Sequence, residues 1–314
     1  MSNKKRLLTG LQASGTLHIG NYFGALKPFA DTYSEYDSHL MIADLHALTT
    51  VRDGALLRQN IIDVVKDYIA VGVDPKEAII FKQSDVPEHT ELAWMFECLV
   101  TVPFLMQAHA YKDKVAKGIE ATAGLFNYPM LMAADILLYD TEVVPVGEDQ
   151  RQHIEYTREA ATKFNIAYGE TFTAPQEKIV KGVGVVPGTD GQKMSKSYKN
   201  TIPLFGSRDE ITKAVMSIVT DSSGERPANV YAIHTLLKTE EELAPVYELH
   251  KGKYKALKEA LIEDLDAFLS PMREKRASIT DDDVRAILKD GAARAHDRAA
   301  KKMEDVRKKI GIQL

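Results

Sequence analysis

The sequence predicts an α/β protein: a doubly wound parallel sheet followed by a C-terminal all-helical domain. Short apolar segments alternate with helical patterns through the first two-thirds of the 314 residues. Such alternation is typical of a parallel sheet with helices on both faces. After about Pro203 the strand signals stop and helical periodicity continues to the C-terminus. We therefore predict one domain over residues 1–203 and a helical domain over residues 204–314.

Four segments have the composition of buried strands, and five others have helical periodicity. The strand segments are residues 6–9, 39–43, 78–81 and 143–146, and the helical segments are residues 21–33, 56–71, 88–100, 129–138 and 150–164. Ligands bind to such sheets at the carboxyl ends of the strands. Functional side chains are therefore expected just after the strands.

The composition excludes several classes of protein. Apolar residues make up 45% of the chain, enough for a large core, and no apolar run reaches the length of about 18–20 residues that spans a membrane. The net charge of −5 argues against bulk nucleic-acid binding, although local charge decides recognition of one RNA. Cys98 is the single cysteine, so an intrachain disulfide is impossible and a buried apolar role is expected for it. These features favour the cytoplasm.

The first segment with chemical potential runs from Gln12 to Tyr22, after a strand and into a helix. Gly15 permits a tight turn, and Gly20 allows a ring or a phosphate to approach the backbone. The helix N-terminus favours an anion, and His18 can donate a hydrogen bond to a phosphate. By itself this segment is equally compatible with ordinary loop structure.

The second segment is Lys193-Met194-Ser195-Lys196-Ser197, preceded by glycines at 182, 184, 188 and 191. Two lysines with hydroxyls between them, on a loop with glycine hinges, suit a mobile clamp for a polyphosphate. Taken alone, it could also be a solvated loop.

Together the two segments resemble the signatures of the class I aminoacyl-tRNA synthetases, His-Ile-Gly-His and Lys-Met-Ser-Lys-Ser. Residues 18–21 read His-Ile-Gly-Asn, with Asn21 in place of the last histidine, and residues 193–197 match in full. The order and wide separation also agree. The resemblance implies a Rossmann-like catalytic domain, ATP as a substrate with Mg²⁺ on its phosphates, and tRNA as a partner.

A third segment, residues 128–138, should be a helix with Pro129 in its first turn and Asp135 as its only charged residue. A lone carboxylate is costly to bury without a partner. Tyr128, Met132 and Asp135 share one face by their spacing. This face suits an apolar ligand with one N–H or O–H donor, so indole and phenol both fit. Alternatively, Asp135 caps a neighbouring helix or pairs with a basic residue.

A fourth segment ends the last predicted strand at Val146 and continues as Gly147-Glu148-Asp149-Gln150. Acidic residues at the end of a strand can hold ribose hydroxyls in a nucleotide-binding fold. They can equally compensate the dipole of the helix that follows.

Read together, the segments at 20–22, 41–49, 132–135 and 147–150 resemble the tryptophan-charging family of these synthetases, over nearly the whole chain. The departures from that family are Leu8, Ala13 and His18. The resemblance implies catalytic roles for His18, Lys193, Lys196 and Ser197. It implies ATP contacts at Gln12, Ala13, Ser14, Gly20, Asn21, Gly147, Glu148, Asp149, Val185 and Lys193, Met194, Ser195, Lys196 and Ser197. It implies tryptophan contacts at Gly10, His46, Tyr128, Met132 and Asp135, with Asp135 accepting the indole N–H.

The resemblance also implies partners: L-tryptophan, ATP, tRNA(Trp) and a second copy of the chain. Residues 285–309 hold nine Lys or Arg against four Asp or Glu, a local basic excess expected to meet the anticodon arm. The apolar segment 86–126 is the predicted dimer interface, or else plain core. Three other functions stay open at this point: a tyrosine–tRNA ligase, a small-molecule nucleotidylyltransferase, and a non-catalytic amino-acid- or tRNA-binding paralogue.

Overall fold

Five parallel strands form a single sheet in a computed structural model that describes residues 4–11, 13, 15–116, 118, 120–146, 151–179, 185–220 and 226–313. The strands are β1 (Arg6–Leu11), β2 (Asp37–Ile42), β3 (Ile79–Lys82), β4 (Val143–Val146) and β5 (Gln176–Ile179). The four predicted strands are confirmed. The fifth was not predicted, because only one of its four residues, Ile179, is apolar.

The strand order β3–β2–β1–β4–β5 explains where a ligand can bind. The chain moves outward from β1 to β3 and then returns to the other side of β1, where β4 pairs with it through Leu7 and Val143. A crevice opens at the carboxyl ends of the two strands where the order reverses. The predicted doubly wound sheet is therefore confirmed, and Gly10 and Leu11, at the carboxyl end of β1, lead directly into the first motif.

Helices cover both faces of this sheet. Before β4 they are α1 (Ile19–Asn21), α2 (Lys27–Thr32), α3 (Asp44–Ala47), α4 (Gly54–Ala70), α5 (Glu88–Glu97), α6 (Val102–Leu105), α7 (His109–Ala116) and α8 (Ala123–Leu137). A π-helical turn, Tyr22–Leu26, joins α1 to α2. The later helices are α9 (Arg151–Tyr168), α10 (Arg208–Met216), α11 (Ala228–His234), α12 (Glu240–Leu249), α13 (Tyr254–Ser278) and α14 (Asp281–Ile310).

Helix α8 corrects one prediction, because Pro129 lies inside it and not in its first turn. The helix begins at Ala123, where the Thr122 side chain accepts a hydrogen bond of 3.3 Å from the Leu125 N–H. This N-cap satisfies an otherwise unpaired donor of the first turn. Pro129 removes one backbone hydrogen bond and its ring crowds the preceding turn, and the helix nevertheless continues through it. The helix therefore starts six residues earlier than the proline suggested.

Alternate residues of each strand contribute to two separate hydrophobic clusters. Leu7, Leu40 and Ile80 belong to the cluster that packs against α4, α10 and α13. Leu8 and Met41, one residue along in the same strands, belong to the cluster that packs against α5, α8 and α9. Successive strand side chains point to opposite faces, so both faces of this sheet are apolar and covered. In the described part of the chain, no helix is long and apolar enough to span a membrane.

The last helix packs directly on the sheet. A Cβ atom on Gly291 of α14 would lie 1.7 Å from the carbonyl oxygen of Ile80 in β3, so only glycine fits this contact. Ala295, Ala299 and Met303 of α14 then join the hydrophobic cluster of α5 and α8. Apolar packing therefore crosses residue 203, and the division into domains 1–203 and 204–314 stays a prediction.

The segment 86–126 has one buried and one exposed face. Leu92, Phe96 and Leu105 are buried in the cluster with α8, as plain core residues would be. Trp94 is 66% exposed and Val102 is 60% exposed. Cys98 is exposed as well, contrary to the expected burial, because it ends α5 on this outer side. The exposed face is the part of the segment that is available to a second copy.

Candidate active site

The first motif forms the N-terminus of α1, where His18 and Asn21 cap each other. His18 Nδ1 accepts a hydrogen bond of 3.3 Å from the Asn21 N–H, and Asn21 Oδ1 accepts one of 3.2 Å from the His18 N–H. This arrangement is a capping box. Asn21, which stands in the place of the second histidine of the signature, therefore fixes the orientation of His18.

The environment of His18 sets its protonation. The side chain is buried, and burial first and the charge of Lys196 second lower its pKa to about 4. His18 is therefore neutral at pH 7. Because its Nδ1 lone pair accepts from Asn21, the ring proton is assigned to Nε2, which can donate to an anion.

The histidine-containing motif at 18–21 and the lysine-rich motif at 193–197 contact each other here, although they lie far apart in the sequence. A Cβ on Gly15 would lie 3.5 Å from Lys196 Nζ, and one on Gly20 would lie 3.3 Å from Met194 Cβ. The chain after the second motif is anchored to the first, since the Ile19 N–H donates to the Ile202 carbonyl at 3.0 Å. Both motifs therefore line one site beside the carboxyl end of β1.

Asn200 organises the loop of the second motif and was not identified from the sequence. Its Oδ1 accepts from the Ser195 N–H at 2.8 Å, and its Nδ2 donates to Asp190 Oδ1 at 2.7 Å and to the Lys193 carbonyl at 3.1 Å. A Cβ on Gly188 would clash with the Asn200 amide at 2.3 Å. The glycine before the motif is thus a close-packing position as well as a possible hinge.

Lys196 lies in a partly buried, charged environment. Burial lowers its pKa, and the carboxylate of Asp67 opposes that effect. Burial raises the pKa of Asp67 to about 6, although Arg276 of α13 donates to Asp67 Oδ1 at 2.5 Å and acts in the opposite direction. The Lys196 ammonium is therefore held beside an α4–α13 ion pair that sequence reasoning did not anticipate.

Asp135, the predicted indole acceptor, is buried and surrounded by hydrogen-bond donors. His89 Nδ1 lies 2.6 Å and Gln83 Nε2 lies 2.7 Å from its Oδ1, while His46 Nε2 lies 2.8 Å from its Oδ2. Burial raises the pKa of Asp135, but hydrogen bonds from His46 and His89 outweigh it and leave the pKa at about 2. Asp135 therefore caps no helix, and its basic partners are two imidazoles.

The remaining acceptor capacity of Asp135 follows from a count of lone pairs. Each carboxylate oxygen can accept two hydrogen bonds. Oδ1 already accepts from Gln83 and His89, whereas Oδ2 accepts only from His46 in the hydrogen bonds described for it. One acceptor position on Oδ2, on the His46 side, is therefore available to a ligand donor.

Two of the other predicted tryptophan contacts, His46 and Tyr128, lie against each other on the side of Asp135 Oδ2. The His46 ring meets the Tyr128 ring edge-on with centroids 6.3 Å apart, and Tyr128 Oη lies 2.8 Å from His153 Nε2. Met132 is partly buried in the adjacent hydrophobic cluster. Gly10 has a structural reason of its own, because a Cβ there would lie 2.4 Å from the Met41 carbonyl oxygen.

The predicted nucleotide contacts are described only in part. Gln12, Ser14, Gly147, Glu148 and Asp149 lie outside the described residues. Ala13 is buried and its carbonyl accepts from Asn60 Nδ2 at 3.1 Å, while Val185 is 70% exposed. Ser195 caps the short helix Lys196–Tyr198 by accepting from the Ser197 N–H at 3.3 Å.

Four buried or structuring residues were missed: Gln83, His89, Tyr139 and Asn200. A weak signal existed for the first two, since Gln83 immediately follows β3 and His89 lies in the first turn of α5, close to a strand's carboxyl end. Their common target, Asp135, is 46 or more residues away along the chain. Only the fold brings them together.

Comparison with known proteins agrees with this geometry. The model of the family "tRNA synthetases class I (W and Y)" matches residues 2–281. A tryptophan–tRNA ligase of Fusobacterium nucleatum is 44% identical, over 98% of each chain. A Campylobacter jejuni tryptophanyl-tRNA synthetase, solved with ADP and tryptophan, superposes with a TM-score of 0.93 at 42% identity, over 98% of this chain and 99% of that one. The Mycoplasma pneumoniae enzyme gives 0.82 at 29% identity, over 98% of each.

These relatives name tryptophan, and not tyrosine, as the amino acid, and they match the chain from end to end. The chain belongs to the class I tRNA synthetases of the tryptophan and tyrosine group, and within that group to the tryptophan–tRNA ligases.

Proposed function

We propose that tryptophan and ATP react in the crevice at the carboxyl ends of β1 and β4. A carboxylate oxygen of tryptophan attacks the α-phosphorus of ATP, the bond to the bridging oxygen breaks, and pyrophosphate leaves. The terminal ribose hydroxyl of tRNA(Trp) then takes the aminoacyl group, and AMP leaves. The observation that carries this proposal is the contact between the two phosphate-handling motifs, Lys196 against Gly15 and Met194 against Gly20.

On the phosphate side, neutral His18 donates from Nε2, while Lys193 and Lys196 supply positive charge where the pyrophosphate accumulates negative charge. Ser197 contacts the phosphates from the same loop. No protein nucleophile is needed, because positioning and charge stabilisation supply the catalysis. Mg²⁺ would be held by the ATP phosphates and would supply further positive charge there. The described residues contain no group of three or more His, Cys, Asp or Glu that could hold the ion by themselves.

The rest of the nucleotide contacts follow the family resemblance. In this proposal the residues against ATP are Gln12, Ala13, Ser14, Gly20, Asn21, Gly147, Glu148, Asp149, Val185, Met194 and Ser195. The exposure of Val185 is compatible with its part, because the residue lies at the surface of the protein.

On the amino-acid side, Asp135 Oδ2 accepts the indole N–H at its remaining acceptor position, with Gly10, His46, Tyr128 and Met132 around the ring. The hydrogen bonds from His46 and His89 support this assignment, since they outweigh burial and keep the carboxylate ionised. A site built to bond an N–H rejects analogues that lack one far more strongly than an apolar pocket rejects a change of size.

The test of the reaction is amino-acid-dependent ATP–pyrophosphate exchange with tryptophan, tyrosine and phenylalanine, followed by the same assay on Lys196→Ala. We expect exchange with tryptophan alone, and a loss of about 100-fold in Lys196→Ala because one charged transition-state contact is removed. Tryptophan binding, measured by calorimetry, should persist. Lys213→Ala, an exposed lysine of α10, is the control. Equal rates in the two lysine variants would contradict the role of Lys196.

The proposal includes a homodimer through the exposed face of segment 86–126. Trp94 and Val102 are largely exposed there, and Trp94 borders an open cavity of about 490 Å³ together with Leu131 and His46. A large exposed aromatic side chain beside a cavity supports an interaction site at this face. Sedimentation of Trp94→Glu should show a shift toward the monomer, whereas an unchanged mass would contradict an interface through this face.

The helical part after residue 203 is proposed to meet the anticodon arm of tRNA(Trp), in the cytoplasm, where translation uses the product. Several basic residues of α14 are already paired with the α/β part: Arg298 with Asp37 at 2.7 Å, Lys302 with Asp140, and Arg307 Nε with Glu91 at 2.7 Å. The basic excess of residues 285–309 therefore serves packing to a large extent, and recognition of tRNA falls to the basic residues outside these pairs.

A further inference from the structure

A buried chain of hydrogen bonds extends from Asp135 away from the ligand side. His89 Nδ1 lies 2.6 Å from Asp135 Oδ1, and His89 Nε2 lies 2.8 Å from Tyr139 Oη. All three residues are at most 1% exposed. The reaction proposed above uses neither His89 nor Tyr139.

The chain fixes the position of each proton. Buried polar hydrogens need an acceptor, and the hydroxyl of Tyr139 has one within the described hydrogen bonds, His89 Nε2. If Tyr139 donates to Nε2, that nitrogen carries a lone pair and the imidazole proton is on Nδ1. The Nδ1–H then donates to Asp135 Oδ1, which is the arrangement in which every buried group of the chain is satisfied.

The ring of His89 is also held sterically. It stacks on Phe81 with centroids 6.0 Å apart and contacts the Tyr139 ring at 5.5 Å. Neither imidazole rotation nor exchange with solvent is open to a side chain packed in this way. Both neighbours therefore fix the tautomer of His89: the ionised Asp135 can only accept from Nδ1–H, and the Tyr139 hydroxyl occupies the lone pair of Nε2.

We propose that Tyr139 and His89 are positioning residues for tryptophan specificity: they orient a donor onto Asp135 Oδ1 so that Oδ2 faces the indole N–H as an unprotonated acceptor. The inference rests on the proposed role of Asp135. Gln83, the second donor to Oδ1, shares the task. None of these three residues touches the substrate in this scheme.

The molecule contains a second buried Tyr–His–Asp chain of hydrogen bonds, which serves as a control. In the helical part, His234 Nε2 lies 2.7 Å from Asp264 Oδ2 and His234 Nδ1 lies 3.2 Å from Tyr247 Oη. His234 is fully buried, as His89 is. Tyr247→Phe therefore removes the same kind of buried hydroxyl–imidazole bond, at a place with no proposed substrate contact.

The test compares kcat/KM for tryptophan with kcat/KM for β-(benzothiophen-3-yl)alanine, in which sulfur replaces the N–H and the ring shape is kept. Tyr139→Phe should lower the preference for tryptophan by about tenfold, the effect of one misdirected hydrogen bond, and leave KM for ATP unchanged. Tyr247→Phe should leave the preference unchanged. An equal loss on both amino acids in Tyr139→Phe would overturn the proposal, because that is the effect of a structural role.

A second pair of variants guards against general damage from the tyrosine substitution. The amide nitrogen of asparagine can occupy the place of Nδ1, so His89→Asn should keep most of the preference, whereas His89→Gln, whose amide reaches the place of Nε2, should lose it. The reverse order contradicts the proposed proton arrangement. If the unsubstituted protein itself shows no preference for tryptophan over the sulfur analogue, the role of Asp135 fails first, and that outcome is separate from a failure of Tyr139.

Discussion

The two Tyr–His–Asp chains of this protein use the same three side chains in different surroundings. In the α/β part, Asp135 is 1% exposed and receives donors from His46, His89 and Gln83. In the helical part, the Asp264 side chain is 23% exposed and receives the Lys238 ammonium at 2.5 Å besides His234.

The difference lies in how the carboxylate charge is compensated. Lys238 neutralises Asp264 directly, so that chain ends in a satisfied ion pair between α13 and the segment that joins α11 to α12. Among the described contacts of Asp135 there is no lysine or arginine, and imidazoles and an amide stabilise the anion without cancelling it. A buried anion that keeps one open acceptor position suits recognition of a ligand donor, whereas a neutralised pair suits packing.

The largest expected difference between the two chains is in the use of tryptophan. In Asp135→Asn, the donors of Gln83 and His89 force the amide oxygen to their side, and the NH₂ group then faces the indole N–H. We expect kcat/KM for tryptophan to fall about 100-fold, while KM for ATP stays within a factor of about two. Asp264→Asn should change kcat/KM by less than about twofold. Equal loss of tryptophan and ATP use in Asp135→Asn would refute the indole assignment.

The next effect separates the amino-acid half of the site from the nucleotide half. Asn200→Ala removes three hydrogen bonds that shape the loop of Lys193 and Lys196. We expect KM for ATP to rise about tenfold, since the lysines lose their fixed geometry. The preference for tryptophan over its sulfur analogue, measured in the same assay, should not change. A changed preference would mean that the two halves are not independent.

Acid stability provides a smaller contrast. Hydrogen bonds lower the pKa of Asp135 to about 2, below its ordinary value of 3.8. Its ionised form therefore stabilises the fold above about pH 4, and this stabilisation is lost as the pH falls toward 2, by about 1 kcal/mol near pH 3. In urea unfolding, the free energy of unfolding should fall less between about pH 6 and about pH 3 in Asp135→Asn than in the unsubstituted protein.

Asp264 also has a lowered pKa, because the hydrogen bonds from Lys238 and His234 outweigh its burial. Since Asp264 is more exposed, solvent screens the effect, and Asp264→Asn should alter the acid loss less than Asp135→Asn does. If Asp264→Asn altered it more, the contrast in burial between the two chains would not determine their energetics.

The smallest expected effect is that of Lys238→Met. The variant removes the cation from the second chain at a partly exposed pair, which contributes about 0.5 kcal/mol or less to the free energy of unfolding. Activity with tryptophan should be unchanged. A loss of activity would show that the Tyr247–His234–Asp264 hydrogen-bond chain acts on the catalytic site. That chain could then no longer serve as a control.

The sequence predicted the parts of this molecule that depend on local order. Strand–helix alternation predicted the doubly wound sheet, and the structure brings together the motifs at 18–21 and 193–197, for which the sequence predicts phosphate binding. It did not predict β5, whose residues Gln176, Glu177 and Lys178 lack a strand pattern. It also did not predict the start of α8, where the cap at Thr122 outweighed Pro129.

The surroundings of Asp135 were beyond sequence reasoning for a physical reason. A buried carboxylate implies that hydrogen-bond donors surround it, but the sequence does not show which residues supply them. His46, Gln83 and His89 come from α3, the end of β3 and α5, and they meet only when the sheet and helices are assembled. The role of Asn200 was hidden for the same reason, because its three hydrogen-bond partners come together only in the folded loop that Asn200 stabilises.

The most direct test of the account is the ratio of kcat/KM for tryptophan to kcat/KM for its benzothiophene analogue, measured in the unsubstituted protein and in Asp135→Asn. We predict a preference of about 100-fold or more for tryptophan in the unsubstituted protein, and a ratio near one in the variant. A ratio that is the same in both proteins would contradict it, because the Asp135 carboxylate could then not be the group that reads the indole N–H.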